Sequence, residues 1–227
     1  FEYVEGRILR NVLLKNPQPW YQHAGWIVLS IADVIMYLHK AEKLHLCLNP
    51  DLVLIRYDKE RIPRAMLLDL GVSDPGPDIH TLWDESYNLP AYTAPEILQP
   101  DGRVTAASDV YGLGMLLYEM LVGHPAYDYH LKRDSKVYAE VSDGAFKPTE
   151  RIDLKNIPGI AEKAIQKNPA NRFENVAQFA RELANNLPGI PGEKKPLSIN
   201  WRLVFIILGA LLAISLIMVM AINIVPV

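Results

Sequence analysis

Apolar positions recur with helical spacing over most of residues 1–187. Residues 24–40 (AGWIVLSIADVIMYLHK) carry apolar groups all round with Asp33 the only acid, which predicts a helix buried on most sides. Two short apolar runs, LVLI at 52–55 and AMLL at 65–68, flank the polar stretch YDKERIP and predict a β-hairpin. From 69 to 92 the chain is rich in Asp, Pro, Gly and Ser without a period, which predicts a long loop. Ser108 reads as an N-cap with Asp109 in the first turn. The following VYGLGMLLYEMLVG is apolar on nearly every face, so its helix belongs at the centre of a helical domain. Gly123 ends it, with Pro125 just beyond. Two more helical patterns cover 159–167 and 174–187, the second with Val176, Phe179, Ala180, Leu183 and Leu187 on one face.

A different pattern closes the sequence. Residues 203–222 (LVFIILGALLAISLIMVMAI) are interrupted only by Gly209 and Ser215. Twenty helical residues rise about 30 Å, the thickness of a bilayer core. The segment is therefore expected to be a transmembrane helix. Lys194, Lys195 and Arg202 precede it and no charge follows, which places the N-terminal side in the cytoplasm by the positive-inside rule. Trp201 stands where an interfacial aromatic is expected, and residues 223–227 form a short outer tail. Gly209 and Ala213 make one small-xxx-small pair, a seat for a helix dimer. Residues 188–202 read as a linker, since five of the thirteen residues in 188–200 are Pro or Gly.

Composition narrows the function classes. Half of the 227 residues are hydrophobic and 22% are charged, a globular balance. The 49 charged side chains, 23 basic and 26 acidic, all lie in residues 1–202. A net charge of −3 offers no basic field for a nucleic-acid backbone, so no nucleic-acid partner is expected. The single cysteine, Cys47, excludes an intrachain disulfide and any multi-cysteine metal site. The first residue is Phe1 and not Met, so the sequence is expected to be a piece of a longer reading frame.

Six segments, in order, resemble the C-terminal lobe of a eukaryotic-type (Hanks-type) serine/threonine protein kinase. FEYVEGRIL at 1–9 resembles the hinge between kinase lobes, with Phe1 at the gatekeeper place. YLHKAEKLHLCLNPDLVLI at 37–55 resembles the catalytic-loop signature YLH…HRDLKPENILL. DLG at 69–71 resembles the metal-binding DFG. AYTAPEIL at 91–98 resembles the segment that closes the activation loop, and SDVYGLGMLLYEMLVGHPAY at 108–127 resembles the central helix. NPANRF at 168–173 resembles the late arginine motif. The resemblance implies a mainly α fold with a short β-hairpin over residues 1–187, with the hinge at 1–6. The Gly-rich loop, phosphate-gripping lysine and glutamate partner of an upstream lobe are not in these residues.

Phosphoryl transfer needs gripped phosphates, metal and an acid that receives the hydroxyl proton. The resemblance puts the catalytic aspartate at Cys47, the phosphate-contacting lysine at Asn49, the second metal ligand at Leu52 and the activation-segment threonine at Leu89. A free thiol has a pKa of about 8.5, so Cys47 is a poor replacement. It reads as a small packed hydrophobe and not as a redox centre. Losing the aspartate, lysine and threonine together avoids orphaning one buried member, which costs about 1–3 kcal/mol. Asp69 is the candidate ligand for one metal ion, with a turn acid before Gly71 as the plainer reading. The Glu2–Val4 backbone is a candidate adenine contact, but adenine sits between two lobes and one wall is not in these residues, so ATP with Mg2+ is expected to bind weakly or not at all. Glu96 and Arg172 match the family's buried ion pair, Asp109 matches the aspartate that holds the catalytic-loop backbone, and His45 matches the loop histidine. Ser73, Thr81, Ser86 and Thr93 are loop hydroxyls open to phosphorylation.

The expectation is a single-pass membrane protein with a cytoplasmic, catalytically inactive kinase-like domain. It would bind other membrane or cytoplasmic signalling proteins and contact membrane lipid. The alternative is an active serine/threonine kinase whose N-lobe lies upstream, with Asp51 as the nearest acid to the Cys47 position.

Overall fold

The computed structural model describes residues 4–69, 89–99, 101–130, 132–143, 145–149, 154 and 156–189. All of them belong to the first of two units of the chain, Phe1–Ile190. The expected membrane span at 203–222, most of the linker, Glu2, and Ser73, Thr81 and Ser86 lie outside the described residues. Among the described residues, no helix is long and apolar enough to cross a membrane.

The hairpin forms, with longer strands than the apolar runs alone suggest. Strands β2 (Val53–Tyr57) and β3 (Pro63–Leu67) pair antiparallel, with Val53 opposite Leu67 and Arg56 opposite Arg64. Asp58 accepts the Glu60 and Ile62 amides at 3.0 and 2.8 Å, which closes the turn and extends the ladder into the polar stretch. A two-residue strand β1 (Arg7–Ile8) adds to the other edge of β2, so the sheet has three strands in the order β1-β2-β3. Val53 and Ile55 are buried, and β3 packs on the long helix α2.

Six helices complete the described domain: α1 (Leu9–Lys15), α2 (Tyr21–Lys40), α3 (Ala106–Val122), α4 (Asp134–Asp143), α5 (Ile157–Ala164) and α6 (Val176–Asn185). Helix α3 is buried from Ala107 to Leu121 and packs on α2, α5 and α6, which is the central position its composition predicts. Its N-cap is Thr105, not Ser108. The Thr105 hydroxyl accepts the Ala107 amide at 3.3 Å, while Ser108, at the third helical position, accepts the Thr105 amide at 3.1 Å in a capping box. Gly123 ends the helix in the left-handed region, φ 92°. Helix α5 starts and stops earlier than the expected 159–167. Ile157 and Pro158 open it, and Pro169 begins a separate 3-10 turn, Pro169–Asn171.

The approach of α3 to α5 depends on a missing side chain. A Cβ on Gly114 would sit 2.5 Å from the Ala164 Cβ and 2.9 Å from the Ile165 Cγ2, with no flexible chain end to give way. Gly114→Ala is therefore expected to lower the unfolding free energy by about 1–3 kcal/mol. Gly159→Ala meets nothing within 4 Å and is expected to raise it by about 0.5–1 kcal/mol. Urea unfolding of the two variants checks both signs.

Candidate functional site

The site is a loop held from below by one carboxylate. Asp109, in the first turn of α3, is 1% exposed. Its Oδ2 accepts the His45 amide at 2.9 Å and lies 2.7 Å from the His39 Nε2, while its Oδ1 accepts the Leu46 amide at 2.7 Å. Leu46 is thereby fixed at φ 64°, and the Cys47 amide donates to the His45 carbonyl across it at 2.9 Å. A left-handed leucine in so tight a turn stores about 1–3 kcal/mol of strain. The structure thus places Asp109 under the loop backbone, the role that its sequence position suggests.

His45 is fully buried, and its Nε2 lies 3.0 Å from the Asp69 carbonyl oxygen. Burial lowers its pKa, so the ring is neutral at pH 7. Cys47 is buried too, with Sγ 3.7 Å from the His45 Nδ1. Burial above all, helped by the charges of Asp69 and Asp109, pushes the thiol up to about 12. A neutral thiol beside a neutral imidazole is neither a base nor an activated nucleophile at pH 7.

The neighbouring positions are turned to structural uses. The Asn49 Nδ2 donates to the Cys47 carbonyl at 3.0 Å, and its Oδ1 accepts the Asp51 amide at 2.9 Å, capping the 3-10 turn Pro50–Leu52. Both ends of the amide are engaged within the loop. Leu52 is half-buried and carries no ligand atom, and Leu89 packs against the core. Asp69 is exposed, Val4 is half-buried, and Glu2 lies outside the described residues. Among the described residues, no group of three or more His, Cys, Asp or Glu side chains gathers to hold a metal ion. Magnesium on phosphates usually takes one or two carboxylates. Asp69 alone, with Leu52 at the second ligand position, does not match the pair of ligands that the resemblance implies. Thr93 is buried and donates its hydroxyl to the Leu89 carbonyl at 3.2 Å, so it is not the accessible hydroxyl expected from the sequence.

A second buried cluster braces the segment after residue 89. Arg172 places all five guanidinium hydrogens: two go to Glu96, at 2.7 Å each, and three to the carbonyls of Ala107, Gln166 and Lys167, at 3.0, 2.6 and 2.9 Å. The Ser108 hydroxyl donates to Glu96 at 2.7 Å, and the Tyr111 ring lies under the guanidinium at 4.8 Å. Glu96, the first turn of α3 and the turn before α6 are thus tied together.

The protein kinase domain profile matches residues 1–186. The chain belongs to the protein kinase family. It is 28% identical over 200 residues to serine/threonine-protein kinase PknB of Mycobacterium leprae, covering 85% of this chain and 30% of that protein. It is 26% identical over 201 residues to PknB of Mycobacterium tuberculosis, with coverage of 85% and 30%. Against serine/threonine-protein kinase PkaA of Streptomyces coelicolor it is 28% identical over 202 residues, with coverage of 82% and 34%. The chain thus spans about a third of the length of these relatives.

One cluster of this kinase domain escaped the sequence reading. Arg10 of α1 donates to the Tyr92 hydroxyl at 3.3 Å and to Glu119 at 3.2 Å, and it reaches Asp51 at 3.4 Å. Tyr92 donates its own hydroxyl to Glu119. Burial raises the Glu119 pKa, against the pull of Tyr92 and Arg10. The available signal was an acid, Glu119, in the apolar stretch of α3 that follows Asp109.

Two outcomes follow for the site. Arg172→Ala is expected to destabilise the domain by about 3–5 kcal/mol. The exchange Glu96→Arg with Arg172→Glu should not rescue it, because a carboxylate at 172 would face three carbonyl oxygens; thermal unfolding of both variants checks this. For Cys47, the folded thiol ionises at about 12 against about 8.5 when free, so the folded state holds its proton more tightly. Its contribution is complete below about pH 8.5 and is lost as pH rises toward 12, by up to about 1.4 kcal/mol per pH unit. Unfolding free energies of the wild type and Cys47→Ser should diverge over that range, with the steeper fall in the wild type.

Proposed function

We propose that this member of the protein kinase family is catalytically inactive, a pseudokinase that works by binding and not by phosphoryl transfer. The observation that carries this reading is Cys47: the position of the proton-accepting acid holds a buried thiol pushed up to about 12. Support comes from Asn49, whose amide is engaged in capping its own turn, and from Leu52, which has no ligand atom. The binding module is anchored in the cell membrane by residues 203–222, with the kinase domain on the cytoplasmic side, and its partners are other membrane or cytoplasmic signalling proteins. Nucleotide with magnesium binds weakly or not at all.

A second reading is an active serine/threonine kinase completed by an upstream lobe. It draws on the relatives, which are named as serine/threonine kinases and of which this chain spans about a third. Incubation of the full-length polypeptide with radiolabelled ATP, magnesium and a generic protein substrate separates the two. No transfer above background is expected. Transfer at an ordinary enzymatic rate that disappears in Asp69→Ala would establish the second reading in place of the first.

A further inference from the structure

Arg10 and Glu119 also line a cavity of about 310 Å³ between α1 and the C-terminal end of α3. Its walls are apolar, with Leu13 and Leu14 from α1, Pro17 from the loop that follows, and Pro125 from the loop after α3. Leu14 is 73% exposed. A single exposed leucine is ordinary, but this one borders a hollow. The two sides of the hollow are fixed to each other. The Gln18 Nε2 donates to the Val122 carbonyl at 2.6 Å, which ties the loop after α1 to the last turn of α3. The volume stands at the small end of ligand sites, room for one ring with a short arm.

The charges around the cavity are unbalanced. Glu119 sits in the last turn of α3, and that turn carries no basic residue. The negative end of the helix dipole therefore has no cation of its own helix against it. Asp128 lines the cavity too. Its carboxylate accepts the His130 amide at 3.0 Å and, among the described residues, forms no ion pair. Arg10 does not redress this, because its charge is already divided. It donates to Glu119 at 3.2 Å, reaches Asp51 at 3.4 Å, and lies 5.6 Å from the ring centres of both Tyr92 and Tyr129. His124 and His130 complete the polar border, the second stacked on Tyr129 at 4.5 Å. Two carboxylates and a helix C-terminus thus face one guanidinium that is turned to other partners.

This combination selects among ligand classes. An anion would meet Glu119, Asp128 and the helix end. A hard metal ion needs several oxygens at once, and among the described residues no such group gathers. An organic cation needs one or two carboxylates for its charge and apolar walls for its body.

We propose that the cavity between α1 and the end of α3 binds a small organic cation, an ammonium group on an apolar body. The body packs on Leu13, Leu14, Pro17 and Pro125, and Asp128 and Glu119 hold the ammonium. The site stands whether or not the domain transfers phosphate, since no residue of the Cys47 loop lines it.

The test is calorimetric titration of the full-length chain in lipid nanodiscs at pH 8, with empty nanodiscs subtracting partition into lipid. Three probes share one shape and differ in charge: phenethylamine, 2-phenylethanol and 3-phenylpropionate. The amine is expected to saturate and to bind about fivefold more tightly than the alcohol, with the carboxylate weakest. Asp128→Asn should cost the amine about fivefold and leave the alcohol unchanged. Leu14→Arg, which sets a cation at the rim, should weaken the amine more than the alcohol. Both positions are exposed, so neither change disturbs the core. No saturation by the amine up to about 10 mM would overturn the proposal. Equal affinities for amine and alcohol, or a preference for the carboxylate, would remove the charge selection. Amine binding that both variants leave unchanged would place the ligand elsewhere and remove the site. The three-probe comparison on the wild type needs no variant, so a misfolded one would not obscure the result.

Discussion

The carboxylate of Asp109 carries the architecture of the candidate site. It comes from the first turn of the most buried helix, and it accepts two successive amides of a loop that would otherwise not stay in a left-handed turn. Removing it would orphan the His45 and Leu46 amides in a dry interior and release the strain at Leu46. The positions of His45, Cys47 and Asn49 all follow from that hold. Besides it, the loop is held by the His45 ring at the Asp69 carbonyl and by short-range bonds of its own, from Cys47 to His45 and from Asn49 to Cys47.

The support and the reactive positions differ in kind. Support is kept where several partners converge: Asp109 on its amides, and Arg172 on Glu96 and three carbonyls. Each of these groups is costly to remove because its partners are buried and would be left unpaired. The positions that the resemblance aligns with the chemistry hold groups that satisfy themselves. Asn49 bonds within its own turn, Leu52 and Leu89 ask for no partner, and the Cys47 thiol stays neutral. The bonds that hold the fold and the positions that the resemblance aligns with the chemistry are thus largely separate sets.

The sequence shows how much of this can be read in advance. Helices α2, α3 and α6 were legible because their apolar positions follow one period over several turns. The ion pair of Glu96 with Arg172 and the role of Asp109 were legible through motif order. Helix α1 has only seven residues, and α4 buries only Val137 and Val141, so neither has enough period to stand out. Strand β1 has two residues and exists only because β2 lies beside it. Thr105 and Ser108 both suit an N-cap, and choosing between them requires the reciprocal bonds of the capping box. The link between Arg10 and Glu119 spans 109 residues, a distance over which local pattern says nothing about pairing.

Helix α2 joins two features that have so far been separate. Near its start, Trp26 holds the Pro188 carbonyl. At its last turn, His39 lies against Asp109. Twenty residues of α-helix make a rod about 30 Å long. The contacts at Trp26 and His39 are about 20 Å apart along that rod, so the end of the described domain and the loop anchor share a single rigid support.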